Sequence, residues 1–239
     1  MTENKEVKGH IHPINQIIDQ IVSILVDMDF QVVGGPEIDN EYYNFDALNV
    51  PKNHPARDMQ DTFWLEKNTE TNKLEHLLRT QTSNIQIHFM EGKQPPFKIV
   101  APGKVYRYEA TDKTHEVQFH QVEGLVVGEN ITMANLKFTL DAFLKKLYGS
   151  DIEIRLRPSF FPFVEPGIEV DIKRPGGRWL EVLGAGMVNS NVLNNMGINP
   201  KKYSGFAFGL GLDRMAMVKY GIDDIRYLYN GDLRFVNQF

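Results

Sequence analysis

The sequence predicts an α+β fold in which a mostly antiparallel β-sheet is flanked by helices. Extended segments follow one another in groups, as in "IEIRLRP", "IEVDIKR" and "RWLEVLGAG". The turn "RPGGR" between the last two is a strong hairpin signal. Helical segments separate these groups instead of alternating with single strands, and no P-loop motif occurs. Rossmann and P-loop architectures are therefore not favoured.

Amphipathic helices are predicted where apolar residues recur at helical spacing. The first spans residues 13–30 and begins on a proline, which suits the first turn of a helix. The second spans residues 133–148. A further helix over residues 212–220 follows the strand "YSGFAFGLG" and ends at Gly221. Residues 83–90 show a less clear alternation of apolar and polar side chains and could begin a helix.

The other segments predict short strands. The chain is extended between the first helix and Pro36, and β-like runs at 62–65 and 77–80 flank a polar hairpin tip, "KNTETNKLE". The segment "FKIVAPGKVYRYEA" predicts two strands around a turn at Pro102–Gly103, because proline followed by glycine is typical of turns. The segment "GLVVGENIT" predicts a strand and the residues that leave it.

Composition limits the class of protein. The chain has 239 residues, of which 42% are hydrophobic, enough for one large domain. A formal net charge of -5 argues against a freestanding nucleic-acid binder but leaves room for a partner that holds the nucleic acid. With no cysteine, any metal must be held by carboxylates or imidazoles. No apolar run approaches the roughly 20 residues of a membrane span, so we expect a cytoplasmic protein.

The stretch "YSGFAFGLGLDR" places small residues on one face of a strand. Because side chains alternate along a strand, one face is nearly bare and the other carries phenylalanine and leucine. A bare face lets a flat ligand lie against the backbone, and Arg214 in the next helix could then reach a phosphate. The alternative is close strand–helix packing with Arg214 in a salt bridge. The small residues are Gly205, Ala207, Gly209 and Gly211.

A second polar group lies in "VYRYEATDKTHEVQFHQVEGLVV". Arg107 and Glu109 end one strand, a polar loop follows at 110–116, and Phe119, Gln121 and Glu123 recur at period two on the returning strand. A guanidinium suits a phosphate, since it stays charged and donates hydrogen bonds in pairs. Phe119 could stack on a base, and Gln121 with Glu123 could hold an ammonium group. The alternative is a solvated hairpin.

The third stretch is "RPSFFPFVEPG". Phe161 and Phe163 flank Pro162, and paired phenylalanines are more often core residues than a ligand site. Glu165 stands in the same apolar run, where we expect it to be buried. A buried carboxylate needs a partner such as a metal or another cation.

These stretches together resemble a known family. The Arg-x-Glu and Phe-x-Gln-x-Glu strands and the late "GLGLDR" run are similar to the signature motifs of class II aminoacyl-tRNA synthetases. With "NFDALNVPKNHPARDMQDTFWL", "LLRTQTS", "WLEVLGAGMV" and "DLRFVNQF", the resemblance is closest to the catalytic part of bacterial phenylalanyl-tRNA synthetase alpha subunits, from about Gly9 onward. It implies that L-phenylalanine and ATP form phenylalanyl-adenylate, and that the acyl group then moves to tRNA(Phe). It also implies a class II synthetase-like antiparallel sheet.

The resemblance assigns roles to positions of this sequence. Arg107 and Arg214 would be catalytic and would hold the α- and γ-phosphates of ATP. Glu109 would read the adenine amino group and Phe119 would stack on the adenine. Gly209 and Gly211 would let ATP approach the sheet. The phenylalanine-binding residues would be Gln81, Ser83, Gln121, Glu123, Phe161, Phe163, Val164 and Ala207. Glu165 would be a ligand of Mg²⁺ at a site shared with the beta subunit.

The resemblance also implies an assembly of two alpha and two beta chains, in which the beta chain carries editing and much of the tRNA binding. Only residues 1–8, expected to be disordered or expression-derived, precede the catalytic domain at 9–239, so the family's N-terminal tRNA-binding helical arm is expected to be absent. Asn189–Ser190 stands where the family usually has His–Pro. Two other functions remain open: a binding or regulatory paralogue without catalysis, and an amide ligase that uses another acceptor.

Overall fold

The structure, a computed structural model, describes residues 9–57, 62–65 and 75–239. Residues 1–8, predicted to be disordered, and most of the hairpin tip predicted at 67–75 lie outside these ranges. The helices are α1 (Pro13–Val26), α2 (Ser83–Met90), α3 (Met133–Tyr148), α4 (Ser190–Asn195), α5 (Leu212–Tyr220) and α6 (Leu233–Val236). The strands are β1 (Gln31–Val32), β2 (Ile38–Asn40), β3 (His76–Leu78), β4 (Phe97–Tyr106), β5 (Gln118–Gly128), β6 (Glu153–Phe161), β7 (Val164–Lys173), β8 (Leu180–Val188) and β9 (Ser204–Gly211).

Seven of the described strands form one sheet in the order β1-β4-β5-β9-β8-β7-β6. Its pairings are antiparallel except for β1 with β4. Strands β2 and β3 form a small second sheet, and a π-helical turn (Tyr42–Asp46) lies beside them. The prediction of a mostly antiparallel sheet flanked by helices is confirmed. Within the described ranges, no helix is long and apolar enough to cross a membrane.

Hydrophobic cores cover both faces of the large sheet. On one face α1, α3 and α5 pack against the strands, and on the other face α2, α4 and the segment around Phe45 do so. Ile21 and Leu25 of α1 are fully buried. Burying a side chain of this kind contributes about 1.5–3 kcal/mol. The two cores therefore hold the sheet rigid beneath any ligand that lies on it.

Helix α1 begins as predicted but ends earlier. The His12 side chain accepts a hydrogen bond from the Ile14 N–H and Pro13 fills the first position, so both cap the start. The helix stops at Val26 instead of residue 30, because Asp29 takes a φ of +66° that a right-handed helix cannot contain. Phe30 then turns into the core beside α1.

The predicted turn at Pro102–Gly103 is wrong, because both residues lie within the single strand β4. Beyond Val100, β4 has no strand partner on its β1 side among the described residues, and proline is tolerated on such an edge because it has no N–H to donate. Gly103 is needed for a close approach: a Cβ there would collide with the guanidinium of the buried Arg79. Pro102 and Gly103 therefore occur in a strand because of its position in the fold, not because they form a turn.

The helices α2, α3 and α5 confirm the predicted ranges. Helix α3 starts with a capping box in which Thr132 and Asn135 exchange side-chain and backbone hydrogen bonds. Helix α5 ends at Gly221, whose φ of 69° lies in the left-handed region that favours glycine. The predicted β7–β8 hairpin is also present, with Gly176 at a φ of 72° in its turn.

The register between β5 and β9 brings the predicted polar strand beside the predicted bare stripe. Gln121 lies opposite Gly211 and Glu123 lies opposite Gly209. Because side chains alternate along β9, Phe206 and Phe208 point into the core on the α1 side. The opposite face of the same strands forms the floor of a cavity.

Candidate active site

A cavity of about 630 Å³ lies over β5, β8 and β9. Residues from α2, the loop after β4, the β6–β7 hairpin and the first turn of α5 complete it. Of the predicted site residues, all except Glu165 line this cavity: Gln81, Ser83, Arg107, Glu109, Phe119, Gln121, Glu123, Phe161, Phe163, Val164, Ala207, Gly209, Gly211 and Arg214. These residues come from widely separated parts of the chain, and the fold brings them to one place.

Arg107 and Phe119 form one end of the cavity. The guanidinium carbon of Arg107 lies 5.0 Å from the centre of the Phe119 ring, within the range of a cation–π contact. The Arg107 Nε also donates to the Thr80 carbonyl at 3.3 Å. Its backbone N–H donates to the Val117 carbonyl at 2.9 Å, which closes the loop between β4 and β5. A positive group beside an aromatic face suits a nucleotide, whose phosphate and base need these two partners.

Arg214 lies in the first turn of α5, where Gly211 ends the bare stripe of β9. Its side chain is exposed at the cavity and makes no ion pair with another described residue. The salt-bridge alternative therefore finds no support among the described contacts. A Cβ on Gly211 would meet nothing within 4 Å, so open space borders this end of β9.

Glu123 forms a buried acidic point on the floor of the cavity. It is 8% exposed, its Oε2 accepts a hydrogen bond from the Ser83 hydroxyl, and Gln86 Nε2 lies 3.4 Å from the same oxygen. Burial raises the pKa of Glu123 to about 7, although the hydrogen bonds from Ser83 and Thr82 oppose the shift. Gln121 Oε1 is buried nearby with no hydrogen-bond partner among the described residues. An unpaired acceptor and a buried carboxylate together fit an ammonium group.

Aromatic side chains and small residues form the apolar end of the cavity. The Phe161 and Phe163 rings lie 5.9 Å apart, nearly parallel at 22°. A Cβ on Gly184 would lie 2.9 Å from the Phe161 ring, so this glycine makes room for the phenylalanine. Ala207 lies two residues from Gly209 on the same face of β9, and Val164 is buried beside the hairpin turn. The result is an apolar slot lined by aromatic and small side chains.

Gln81 lies at the cavity edge, where its amide donates to the Asn44 carbonyl in the π-helical turn at 3.1 Å. The residues that the sequence analysis missed and that line the cavity include Gln86 and Gly184. Gln86 follows Ser83 by three residues on one face of α2, a spacing that could have identified it. Gly184 belongs to "LGAG", which repeats the small-residue alternation of β9.

Glu165 differs from the prediction. It is exposed instead of buried and lies outside the lining of the cavity, because β7 turns its side chain toward α4. Asn189 Nδ2 lies 3.4 Å from Glu165 Oε2, while Asn189 Oδ1 caps α4 by accepting the Asn191 N–H. The described residues contain no group of three histidine, aspartate or glutamate side chains able to hold a metal. Glu165 therefore does not fit a metal held inside the cavity. The carboxylate fits only a magnesium whose other ligands are waters or a partner chain.

The family of this protein follows from comparison with known sequences and structures. The model of the family "tRNA synthetases class II core domain (F)" matches residues 1–239, and the chain belongs to this family. It is 52% identical over 231 residues to the phenylalanine–tRNA ligase alpha subunit of Proteus mirabilis, covering 97% of this chain and 68% of that protein. It is 49% identical over 242 residues to the protein of the same name from Dehalococcoides mccartyi, covering 97% and 70%.

The fold comparison agrees with this family. The crystal structure of pyrrolysyl-tRNA synthetase from Desulfitobacterium hafniense matches with a TM-score of 0.69 at 16% sequence identity. The match covers 92% of this chain and 74% of that one. At this level of identity the likeness concerns the fold alone. The predicted class II synthetase-like sheet is confirmed.

Proposed function

We propose that this chain is the catalytic core of a phenylalanine–tRNA ligase. It activates L-phenylalanine with ATP to phenylalanyl-adenylate and then transfers the acyl group to tRNA(Phe). The observation that carries the proposal is one cavity in which Arg107, Phe119 and Arg214 face an apolar slot closed by Phe161 and Ala207. The alpha-subunit relatives, about half identical over nearly the whole chain, support the same activity.

ATP binds at the end of the cavity formed by β5 and α5. Phe119 stacks on the adenine and Glu109 accepts from its amino group. Gly209 and Gly211 leave the sheet bare so that the nucleotide lies close to the backbone. Arg107 holds the α-phosphate, and Arg214, exposed at the end of β9, holds the γ-phosphate of a bent ATP.

Phenylalanine binds at the other end. The unpaired Gln121 Oε1 and the Glu123 carboxylate accept hydrogen bonds from its ammonium group, and Ser83 with Gln81 completes that side. Phe161, Phe163 and Val164 contact the ring, and Ala207 leaves it room. The cation favours the ionised form of Glu123, so ligand binding lowers a pKa that burial has raised to about 7.

In the first step the substrate carboxylate attacks the α-phosphorus and pyrophosphate leaves. Negative charge builds on the α-phosphate oxygens, and the proposed role of the Arg107 guanidinium is to stabilise that charge. Arg214 holds the leaving pyrophosphate in line. Mg²⁺, when bound to the phosphates, would neutralise part of their charge. Glu165 lies outside the cavity, so we propose for it a separate Mg²⁺ at the boundary with the beta subunit.

A beta subunit and tRNA(Phe) are the proposed partners, in an assembly of two alpha and two beta chains. The relatives are named alpha subunits, which supports the presence of a second kind of subunit in the proposed assembly. The net charge of -5 is consistent with a partner that supplies most of the basic surface for tRNA.

The test is ATP–pyrophosphate exchange by the chain combined with its beta subunit. We expect exchange that depends on phenylalanine and is not supported by leucine or by tyrosine. Arg107→Ala is the matched control for contaminating enzyme, and it should lower kcat at least about 100-fold, since its contact strengthens in the transition state. Tight phenylalanine binding by a folded complex without exchange would instead identify a non-catalytic paralogue. Exchange without transfer to tRNA, but with transfer to another acceptor, would identify an amide ligase.

A further inference from the structure

Asp213, His120 and Tyr229 form a closed ring of hydrogen bonds at the end of the cavity proposed to bind the nucleotide. Asp213 is 2% exposed in the first turn of α5, and its Oδ2 accepts the His120 backbone N–H at 2.7 Å. Its Oδ1 accepts the Tyr229 hydroxyl, and the Tyr229 oxygen lies 3.0 Å from His120 Nδ1. Tyr229 has one hydroxyl hydrogen, and it donates that hydrogen to Asp213. The Tyr229 oxygen can therefore only accept a hydrogen bond from His120, so the neutral His120 ring carries its hydrogen on Nδ1.

The ring joins three separate segments of the chain. His120 lies on β5, Asp213 on α5, and Tyr229 directly after the 3-10 turn Ile225–Leu228. The His120 and Tyr229 rings are parallel to within 5°, with centres 6.2 Å apart. His120 lines a separate cavity of about 400 Å³ instead of the main one, as expected from strand alternation. Asp213 itself lines the main cavity, so the ring connects the wall of the cavity to residues on the other side of the sheet.

The neighbours of the ring residues are the proposed ATP contacts. Phe119 precedes His120 and Arg214 follows Asp213 in the chain, and both line the main cavity. We propose that Asp213, His120 and Tyr229 are positioning residues for ATP, which hold Phe119 and Arg214 at the separation that the nucleotide requires. This inference rests on the proposed function, because it takes ATP as the ligand of that end.

The ring works with His120 neutral and Asp213 ionised. Burial lowers the pKa of His120 to about 4 and raises the pKa of Asp213 to about 6. The hydrogen bonds from Tyr229 and from the His120 backbone oppose the rise at Asp213. The titratable groups that face Asp213 are His120 from β5, Tyr229 from the segment after α5, and Glu116 from the loop before β5. An ionised carboxylate accepts both donors, one on each oxygen, whereas protonation places a hydrogen on one oxygen and so disrupts one of the two bonds.

Tyr229→Phe removes one hydroxyl, and with it two of the hydrogen bonds, but keeps the aromatic side chain that packs beside His120. In the enzyme assembled with its beta subunit, we expect the KM for ATP in pyrophosphate exchange to rise about tenfold, while the KM for phenylalanine stays within about twofold. Asp213→Asn should have a larger effect in the same direction, since it weakens both bonds. The matched control is Tyr220→Phe: this tyrosine is the last residue of α5, and its hydroxyl donates to Gln16 at 3.0 Å, outside the cavity lining.

The pH profile separates positioning from loss of stability. In the parent enzyme, ATP binding should weaken as the pH falls through about 6, where Asp213 becomes protonated. Without the Tyr229 hydroxyl the pKa of Asp213 rises, so the acid limb should move to higher pH in Tyr229→Phe and stay in place in Tyr220→Phe. Equal changes of KM for ATP and phenylalanine, or an unmoved acid limb in a folded Tyr229→Phe enzyme, would overturn the proposal.

A measurement that does not need catalysis tests the positioning role of Asp213, His120 and Tyr229 independently of the proposed enzyme activity. Hydrogen–deuterium exchange of the His120 amide should be about tenfold faster in Tyr229→Phe than in the parent and unchanged in Tyr220→Phe. If the parent shows no pyrophosphate exchange, the proposed function fails, and binding of ATP alone to parent and Tyr229→Phe then decides the role of the ring. Equal ATP affinity in the two would overturn it, and weaker binding by the variant would support it.

Discussion

Ala207 sets the depth of the aromatic slot at the scale of one residue. It lies on the cavity face of β9, between Gly205 and Gly209, and is half-buried there. A methyl group is all that separates the proposed substrate ring from the sheet. The identity of this one side chain should therefore limit the size of the substrate.

We predict that Ala207→Gly admits para-halogenated phenylalanines. The added space is about one methyl group, and such differences in an apolar pocket are worth about 1–3 kcal/mol. The measurement is kcat/KM for para-chlorophenylalanine relative to phenylalanine in pyrophosphate exchange. Ala216→Gly, at a buried core position of α5 that does not line the cavity, is the control and should leave this ratio unchanged. A variant that still excludes the analogue would show that Ala207 is not the floor of the slot.

Glu123 combines binding with a cost in stability. Its pKa is raised from 4.5 to about 7, so the folded state binds a proton more tightly than the unfolded chain. Its contribution to stability is therefore greatest below about pH 4.5 and is lost as the pH rises through about 7. A group that weakens the free protein at neutral pH is kept where a ligand cation can stabilise it.

Glu123→Gln should separate these two effects. We expect the free energy of unfolding at pH 8 to rise by about 1–3 kcal/mol, because no charge is buried, with little change at pH 4.5. Phenylalanine affinity should fall at least about tenfold. Urea unfolding at both pH values and calorimetric titration measure these changes, with the surface residue Glu153→Gln as control. Lower stability of the variant at pH 8 would contradict the burial argument.

At the scale of elements, the pairing of β5 with β9 determines the site, and it depends on glycines on both strands. Gly124 of β5 lies opposite Phe208, which is buried between Phe30 and Phe143 with ring centres 6.1 Å away in each case. The space above Gly124 is filled by the Phe208 ring. The core face of the two strands is therefore as tightly packed as the ligand face is open.

Gly124→Ala should destabilise the protein by about 1–3 kcal/mol, because the new methyl group overlaps a ring that has no room to move. Gly128→Ala on the same strand is the matched control, since its Cβ would meet its nearest neighbour, Ile131, at an ordinary 3.5 Å. The measurement is the urea midpoint of both variants. Equal midpoints would mean that the β5–β9 core adjusts more freely than its packing indicates.

Element types were predicted well where one periodic pattern extended over many residues. Helix α3 has a continuous apolar stripe, so its range followed from spacing alone. The turn predicted at Pro102–Gly103 was wrong because proline followed by glycine has a local preference for turns. In the fold, the free edge of β4 tolerates the proline and the buried Arg79 guanidinium requires the glycine. Neither condition is visible within a window of neighbouring residues.

At the scale of the whole molecule, charge determines what the chain can bind alone. Its net charge is -5, whereas tRNA binds basic surfaces, which release the counterions condensed on its phosphates. The cavity itself concentrates Arg107 and Arg214 at one end, which suits a triphosphate and is too small an area to hold a tRNA. We therefore expect tRNA binding to depend on the proposed beta subunit.

We predict that the isolated chain binds tRNA(Phe) with a Kd weaker than about 10 µM at 0.15 M salt, and that the assembled enzyme binds it much more tightly. Fluorescence anisotropy of labelled tRNA, with and without the beta subunit, measures both values. Binding of the isolated chain tighter than about 1 µM would show that this chain carries its own tRNA surface.

The sequence by itself determined the strand and helix periods, the bare face of β9 and the polar face of β5, because these are properties of consecutive residues. Together with the family resemblance, it also identified fourteen of the residues that line the cavity. Only the tertiary structure decided the exposure of Glu165, the contributions of Gln86 and Gly184, and the ring that joins Asp213 to His120 and Tyr229. Burial and hydrogen bonding depend on which distant segment lies against a residue, and that is set by how the whole chain packs.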